Sequence, residues 1–225
     1  MYVAVGDAVY TSTDKEDWDI VDVALGEFSH VVYADKFYMS VDGVGIYSFD
    51  GDAWVLEVQD ACTYTHAITV DGVPMFGTAD GRIMYGPSWN FVFVAPGAVS
   101  MIYDTQFHVV VDSETTLETF SGTLFDLVSE GTTDIEDFTV TDTWYDTQRK
   151  IFVVAAYATD DKSPVFFNYS KGEWTMVFSD LDTHAVSLAD GGVATENAVY
   201  TTTDYVSFDL LHTFEDFEVR TLLNV

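Results

Sequence analysis

Cysteine is almost missing from this chain: Cys62 is the single one among 225 residues. It has no partner for an internal disulfide and no second thiolate for a metal site, so it reads as a small buried residue. Basic residues are nearly as scarce, with 8 Lys and Arg against 38 Asp and Glu and a net charge of −30. Without a Lys/Arg cluster to neutralise phosphates, nucleic acid is excluded as a partner. No apolar run approaches the ~18 residues that span a bilayer as a helix, so no membrane insertion is expected. The opening MYVAVGDAVYTS has no basic start, no long apolar stretch and no small-residue cleavage site. No signal peptide is expected there.

What is present is apolar and aromatic. Residues of the hydrophobic class make up 48% and aromatics 16%, enough for a substantial core. The acids are scattered between apolar stretches rather than gathered in a tail, which excludes a disordered acidic chain. Such a charge repels itself at low salt. Screening shortens the reach of charge from ~10 Å at 0.1 M to ~3 Å at 1 M salt. A protein built for multimolar salt is therefore expected, the alternative being an unusually acidic domain of ordinary habitat.

A repeat organises the chain. VYTSTDKEDW ends at Trp18, IYSFDGDAW at Trp54, IMYGPSW at Trp89, ETFSGTLF at Phe125, FFNYSKGEW at Trp174 and VYTTTDYVSF at Phe208. The steps between these aromatics are 36, 35, 36, 49 and 34 residues. In five copies an Asp or Ser lies four residues earlier: Asp14, Asp50, Ser121, Ser170 and Asp204. A second pattern keeps the same phase, with Tyr-Asp-Thr-Gln in both SMIYDTQFHVVV and TWYDTQRKIFVV. Each period holds four short alternating strand patterns joined by tight turns. Four strands per ~36–45 residues is the blade of a β-propeller.

The expected fold is an all-β, six-bladed propeller of four-stranded antiparallel blades in one domain. Its blades are approximately 217–225 with 1–25, then 26–60, 61–96, 97–131, 132–181 and 182–216. The closing strand, 217–224, is expected beside 2–6, which would close the ring and remove free sheet edges.

The stretch S-x-D-G-x-x-W at Ser48, Asp50, Gly51 and Trp54 resembles the Asp-box, or bacterial neuraminidase repeat; STDKEDW and TTDYVSF match it more loosely. The resemblance implies a structural role for Asp14, Trp18, Ser48, Asp50, Trp54, Trp89, Phe125, Trp174, Asp204 and Phe208. The short oxygen side chains would bond the turn between third and fourth strands, and the aromatics would anchor the blades. Sialidase activity is not expected to carry over. That chemistry clamps a carboxylate with three arginines, and Arg82, Arg149 and Arg220 occupy turns and strands that do not converge. Small, strongly acidic propellers of this kind also resemble virion proteins of tailed viruses infecting haloarchaea.

No catalytic residue is assigned, because G-x-S-x-G, H-E-x-x-H and a Gly-rich phosphate loop are all missing. The acidic turns lack a twelve-residue calcium loop and read as solvated surface; no metal or cofactor is expected. His30, His66 and His184 recur near the starts of innermost strands and read as packing or turn-bonding residues rather than a His₃ site. The 49-residue step adds length at 129–142 and 156–167, on the face opposite the Asp-box turns. Asp134, Glu136, Asp137, Asp160, Asp161 and Lys162 there form a candidate contact lobe.

The functional expectation is a non-enzymatic structural or binding module of a haloarchaeal virus particle: tail, baseplate, spike or capsid surface. Its partners would be other virion proteins in an oligomeric assembly and a host surface glycan or glycoprotein. A glycan-active hydrolase of sialidase-like fold and an intracellular binding propeller of a halophile, located in its cytoplasm, are the alternatives.

Overall fold

The structure, a computed structural model, describes residues 2–5, 9–12, 17, 19–21, 28–49, 51, 53–146, 149–181, 183, 185–189, 191–195 and 197–213. These residues form strands and turns, with no helix among them. One three-stranded sheet contains β1 (Tyr2–Val5), β2 (Val9–Ser12) and β3 (Asp19–Val21). Five four-stranded sheets follow. The first holds β4 (Phe28–Tyr33), β5 (Phe37–Val41), β6 (Gly45–Phe49) and β7 (Trp54–Gln59). The next holds β8 (Tyr64–Val70), β9 (Val73–Thr78), β10 (Arg82–Tyr85) and β11 (Asn90–Phe93). Then come β12 (Ala98–Tyr103), β13 (Phe107–Asp112), β14 (Thr116–Thr123) and β15 (Asp126–Asp134). The last two sheets are β16 (Phe138–Asp146), β17 (Ile151–Ala158), β18 (Pro164–Ser170) and β19 (Glu173–Phe178), and β20 (Ala185–Ala189), β21 (Gly192–Thr195), β22 (Ala198–Thr202) and β23 (Phe208–Thr213). Within every sheet the strands pair in chain order, as in a meander.

By compactness the chain divides into two units, Met1–Tyr103 with Thr123–Leu127 and Asp104–Gly122 with Val128–Val225. In the first unit β8 lies beside both β4 and β12; in the second β16 lies beside β20. Within each unit, first strands of successive sheets are thus neighbours. The expected pairing of 217–224 with 2–6 involves residues outside the described set.

Burial follows position in the sheet. Second strands are buried on both faces, as in FHVVVD of β13 and IFVVAA of β17. That explains their near-continuous apolar sequence, since a strand covered on two sides needs no polar alternation. Outermost strands such as β19 and β23 are mostly exposed. Cores sit between consecutive sheets. Tyr38 and Ile46 of one sheet meet Tyr64, Phe76 and Met84 of the next. In the second unit Val153, Ala155 and Phe166 meet Ala185, Leu188 and Val193. The close approach of sheets is visible at Gly77, where an added Cβ would lie 2.5 Å from the carbonyl oxygen of Val99.

First strands also share a bulge. The register shifts between Phe28 and His30, between Tyr64 and His66, and between Val140 and Asp142. The extra residues are Ser29, Thr65 and Thr141, all hydroxylated; β20 shifts likewise between Ala185 and Ser187, with Val186 at the extra position. Thr65 Oγ1 donates to the Val99 carbonyl of β12 at 2.7 Å, and Thr141 Oγ1 donates to the Ala185 carbonyl of β20 at 2.6 Å. A bulge leaves one residue free of the ladder; the Thr65 and Thr141 hydroxyls use that freedom to fasten the strand to the neighbouring sheet, whereas Ser29 Oγ bonds Ser40 and Asp42 of its own hairpin.

One expectation about the long repeat step is corrected. Residues 129–142 were expected to contain added loop, yet β15 runs to Asp134 and β16 starts at Phe138, so only 135–137 connects them. The extra length lengthens strands instead. Both β15 and β16 reach nine residues, and the sheet boundary falls beyond the expected position 131.

Candidate functional site

The turns between third and fourth strands carry the Asp-box residues. Asp204 is the fully described acid of the set. Its Oδ1 accepts the N–H groups of Val206 and Ser207, each at 2.9 Å, while Thr202 Oγ1 accepts from Tyr205 N–H at 2.9 Å. Those N–H groups, led by Ser207, lower the Asp204 carboxyl pKa. Ser48 is buried and donates to Glu57 Oε1 at 2.5 Å rather than to its turn. Asp14, Trp18 and Asp50 lie outside the described residues.

The box aromatics divide into three kinds. Trp89 and Phe208 lie between sheets: Trp89 meets Tyr38 at 5.7 Å and Phe76 at 6.1 Å, and Phe208 stacks on Phe166 at 5.2 Å. Trp54 and Trp174 pack on their own hairpins, against Phe49 at 4.7 Å and Tyr169 at 5.2 Å. Phe125 is 74% exposed and touches Tyr85 edge-on at 5.7 Å. It does not have the buried place expected of a box aromatic. The turn there is only Leu124–Phe125, and Leu124 is the residue that turns inward.

In the first unit His30 and His66, on β4 and β8, approach to 6.5 Å between ring centroids. They are brought together because each follows the bulge of its strand. Burial lowers the pKa of both; His66 falls to about 4, pressed further by His30. His30 Nδ1 is buried without a partner. Two neutral rings remain at pH 7. His184 lies outside the described residues, and no group of three metal-ligating side chains occurs among the described ones.

The contact lobe is joined by backbone bonds within the second unit. Thr159 N–H donates to the Asp137 carbonyl and Ile135 N–H to the Thr115 carbonyl, both at 2.8 Å. Residues 113–115, 135–137 and 159–163 therefore gather. Asp134 ends β15, with Glu136 and Asp137 in the connection that follows. Asp160 and Asp161 accept local N–H groups, and Lys162 Nζ lies 4.3 Å over the Tyr157 ring.

A cavity of about 430 Å³ opens elsewhere in the second unit, at the turns joining β16 to β17 and β18 to β19. Its floor is aromatic. His108 stacks on Tyr145 at 4.2 Å, and Phe152 crosses Tyr145 at 5.0 Å. Tyr169 contributes a third phenyl ring, and Glu130, Ser170, Lys150 and Lys171 line the walls. The Tyr-Asp-Thr-Gln motifs build this region. Asp104 holds the N–H of Gln106 at 3.1 Å and faces His108 Nε2 at 3.3 Å. Partial burial pushes the Asp104 carboxyl up, but the Thr105 and Gln106 N–H groups and the His108 ring outweigh it and bring it down to about 2. The second motif's Asp146 is fully buried, caps Arg149 N–H at 2.8 Å and pairs with the Arg149 guanidinium. Burial, with the charges of Asp104, Glu130 and Asp146, raises the pKa of Tyr145 and keeps it a neutral phenol.

Cations are tied down elsewhere: Arg82 by Asp60 at 2.6 Å and Asp80 at 2.9 Å, Lys36 by Glu57 at 2.6 Å. Sequence reasoning missed this cavity. The signal that could have found it is that Arg149, Lys150 and Lys171, three of eight basic residues, fall in turns at one end of a single sheet.

No family model matches this chain, and no curated protein matches it. Among solved structures it is similar to the N-terminal domain of Nup159, with TM-score 0.55 and 7% identity over 86% of this chain. It spans 64% of that domain's length. A S. cerevisiae assembly of Dbp5 bound to Nup159, Gle1, IP6 and ADP gives TM-score 0.53 at 7% identity, over 93% of this chain and 64% of the other. The computationally designed Ika8 protein gives 0.56 at 11% identity, over 99% of this chain and 89% of the other. The Nup159 domain is a β-propeller, and the likeness places this fold among the β-propellers. At such identity it speaks for the fold alone.

Proposed function

We propose that this chain is a non-enzymatic structural and binding module of a haloarchaeal virus particle, built as a six-bladed propeller with Asp-box turns. It works in concentrated salt and joins neighbouring particle proteins while its loops contact a host surface glycan or glycoprotein. The observation that carries the reading is the character of the outermost strands. Phe91 and Phe93 on β11, Met176 and Phe178 on β19, and Leu210 and Leu211 on β23 are large apolar side chains left exposed. Val55 and Leu56 repeat the pattern on β7. Single exposed apolar residues are ordinary, but repetition on successive outer strands fits a surface that other subunits cover. The charge of −30 complements this. It keeps the isolated chain soluble, while multimolar salt screens repulsion to ~3 Å and lets subunits meet.

A glycan array read in concentrated KCl, followed by a turnover assay on every retained glycan, tests the reading. Retention without turnover is expected. Hydrolysis abolished by a single carboxylate substitution would replace it with a glycan-active hydrolase.

A further inference from the structure

The geometry points to an anionic sugar unit as the ligand of the cavity lined by Lys150, Lys171, Glu130, Tyr145, Tyr169 and Ser170. This deepens the glycan-contact reading by naming a site and a ligand class. It lies at the turns of the Asp-box side, away from the acidic lobe at 135–137 and 159–163.

Lys150 and Lys171 make no ion pair among the described residues, although the chain has 38 acids to offer. Both hold left-handed backbone, φ 57° and 54°, a region that favours Gly, Asn or Asp. Tyr145, Tyr169 and Ser170 add their hydroxyls to the lining. The cavity thus offers two ammonium groups and three hydroxyls, and one carboxylate that accepts from Ser121.

Each group constrains the ligand. Two unpaired lysines call for negative charge, which a neutral sugar lacks. Glu130 repels a bare anion but accepts hydrogen bonds from ring hydroxyls. The volume of about 430 Å³ falls within the roughly 300–1,000 Å³ of small-ligand sites and far exceeds an inorganic ion. A hydroxylated ring bearing a carboxylate or sulfate meets all three conditions. Concentrated salt favours this design. With screening lengths of ~3 Å at 1 M, the distant acids no longer repel an anion, while lysines in direct contact still attract it.

The test is microcalorimetry in concentrated KCl on the full chain, using glucuronate, glucose 6-sulfate, glucose, acetate and inorganic sulfate. At least one anionic sugar should bind about tenfold or more tightly than glucose, the size expected of a charge-assisted hydrogen bond. Comparing the carboxylated and sulfated sugars identifies the anion. The double variant Lys150→Gln/Lys171→Gln should lose that preference while melting as the parent does. Equal affinity for glucose, equal affinity for free acetate or sulfate, an unchanged double variant, or no sugar binding would each overturn the proposal. Such a failure would leave the particle assignment standing, because that is measured on particles.

Discussion

At the residue scale the molecule stores its pH sensitivity in one pair. Folded His66 refuses a proton down to about pH 4, whereas its ordinary value is 6.5. The unfolded chain therefore binds more protons between those values, and stability drops as the pH is lowered through that range. His30 shifts the same way. Stability should be full above pH 6.5 and decline toward pH 4, and His66→Gln should flatten that segment in urea unfolding. An equal decline in both proteins would contradict neutral burial. Depressed carboxylates act lower: Asp104, at about 2, loses its contribution only as pH falls below the ordinary carboxylate range. Asp146 is the other decisive residue. It is fully buried, pairs with Arg149 and accepts from Tyr205 Oη at 3.4 Å. Asp146→Ala removes the buried acceptor of the Arg149 N–H and the Tyr205 hydroxyl and should cost about 1–3 kcal/mol in denaturant unfolding.

At the element scale the sheets depend on close stacking. Gly77→Ala sets a methyl against the Val99 backbone and should cost about 1–3 kcal/mol by overpacking. Phe76→Ala empties the core between two sheets and should cost about 3–5 kcal/mol. Both are read from chemical denaturation; a neutral Gly77→Ala would mean the two sheets can separate freely. Hairpins were legible in the sequence because strand–turn–strand is local and its alternation is visible. Strand length was not. SEGTTDIEDFTVTD contains polar residues at a spacing that fits either a loop or a long edge strand, and only pairing decides. The cavity was illegible for a related reason. His108, Glu130, Lys150 and Lys171 belong to two sheets and meet only through packing, which periodicity does not encode. Phe125 shows the reverse limit: its spacing marks it as a box aromatic, but a two-residue turn rotates it to the surface.

At the scale of the whole molecule, charge and apolar surface act together. With −30 on 225 residues, unfolding midpoints should rise steeply with KCl as screening removes self-repulsion. A melting temperature independent of salt would sink the halophilic reading. On the proposed reading, the exposed apolar residues of β7, β11, β19 and β23 are the surface that partners would cover. The central claim is that those partners are particle proteins. Mass spectrometry of purified virus particles and of the host cell fraction, from a halophilic culture that carries this chain, tests it most directly. The account predicts the chain in the particles, in fixed ratio to the other structural proteins. Finding it only in the cell fraction would contradict the account.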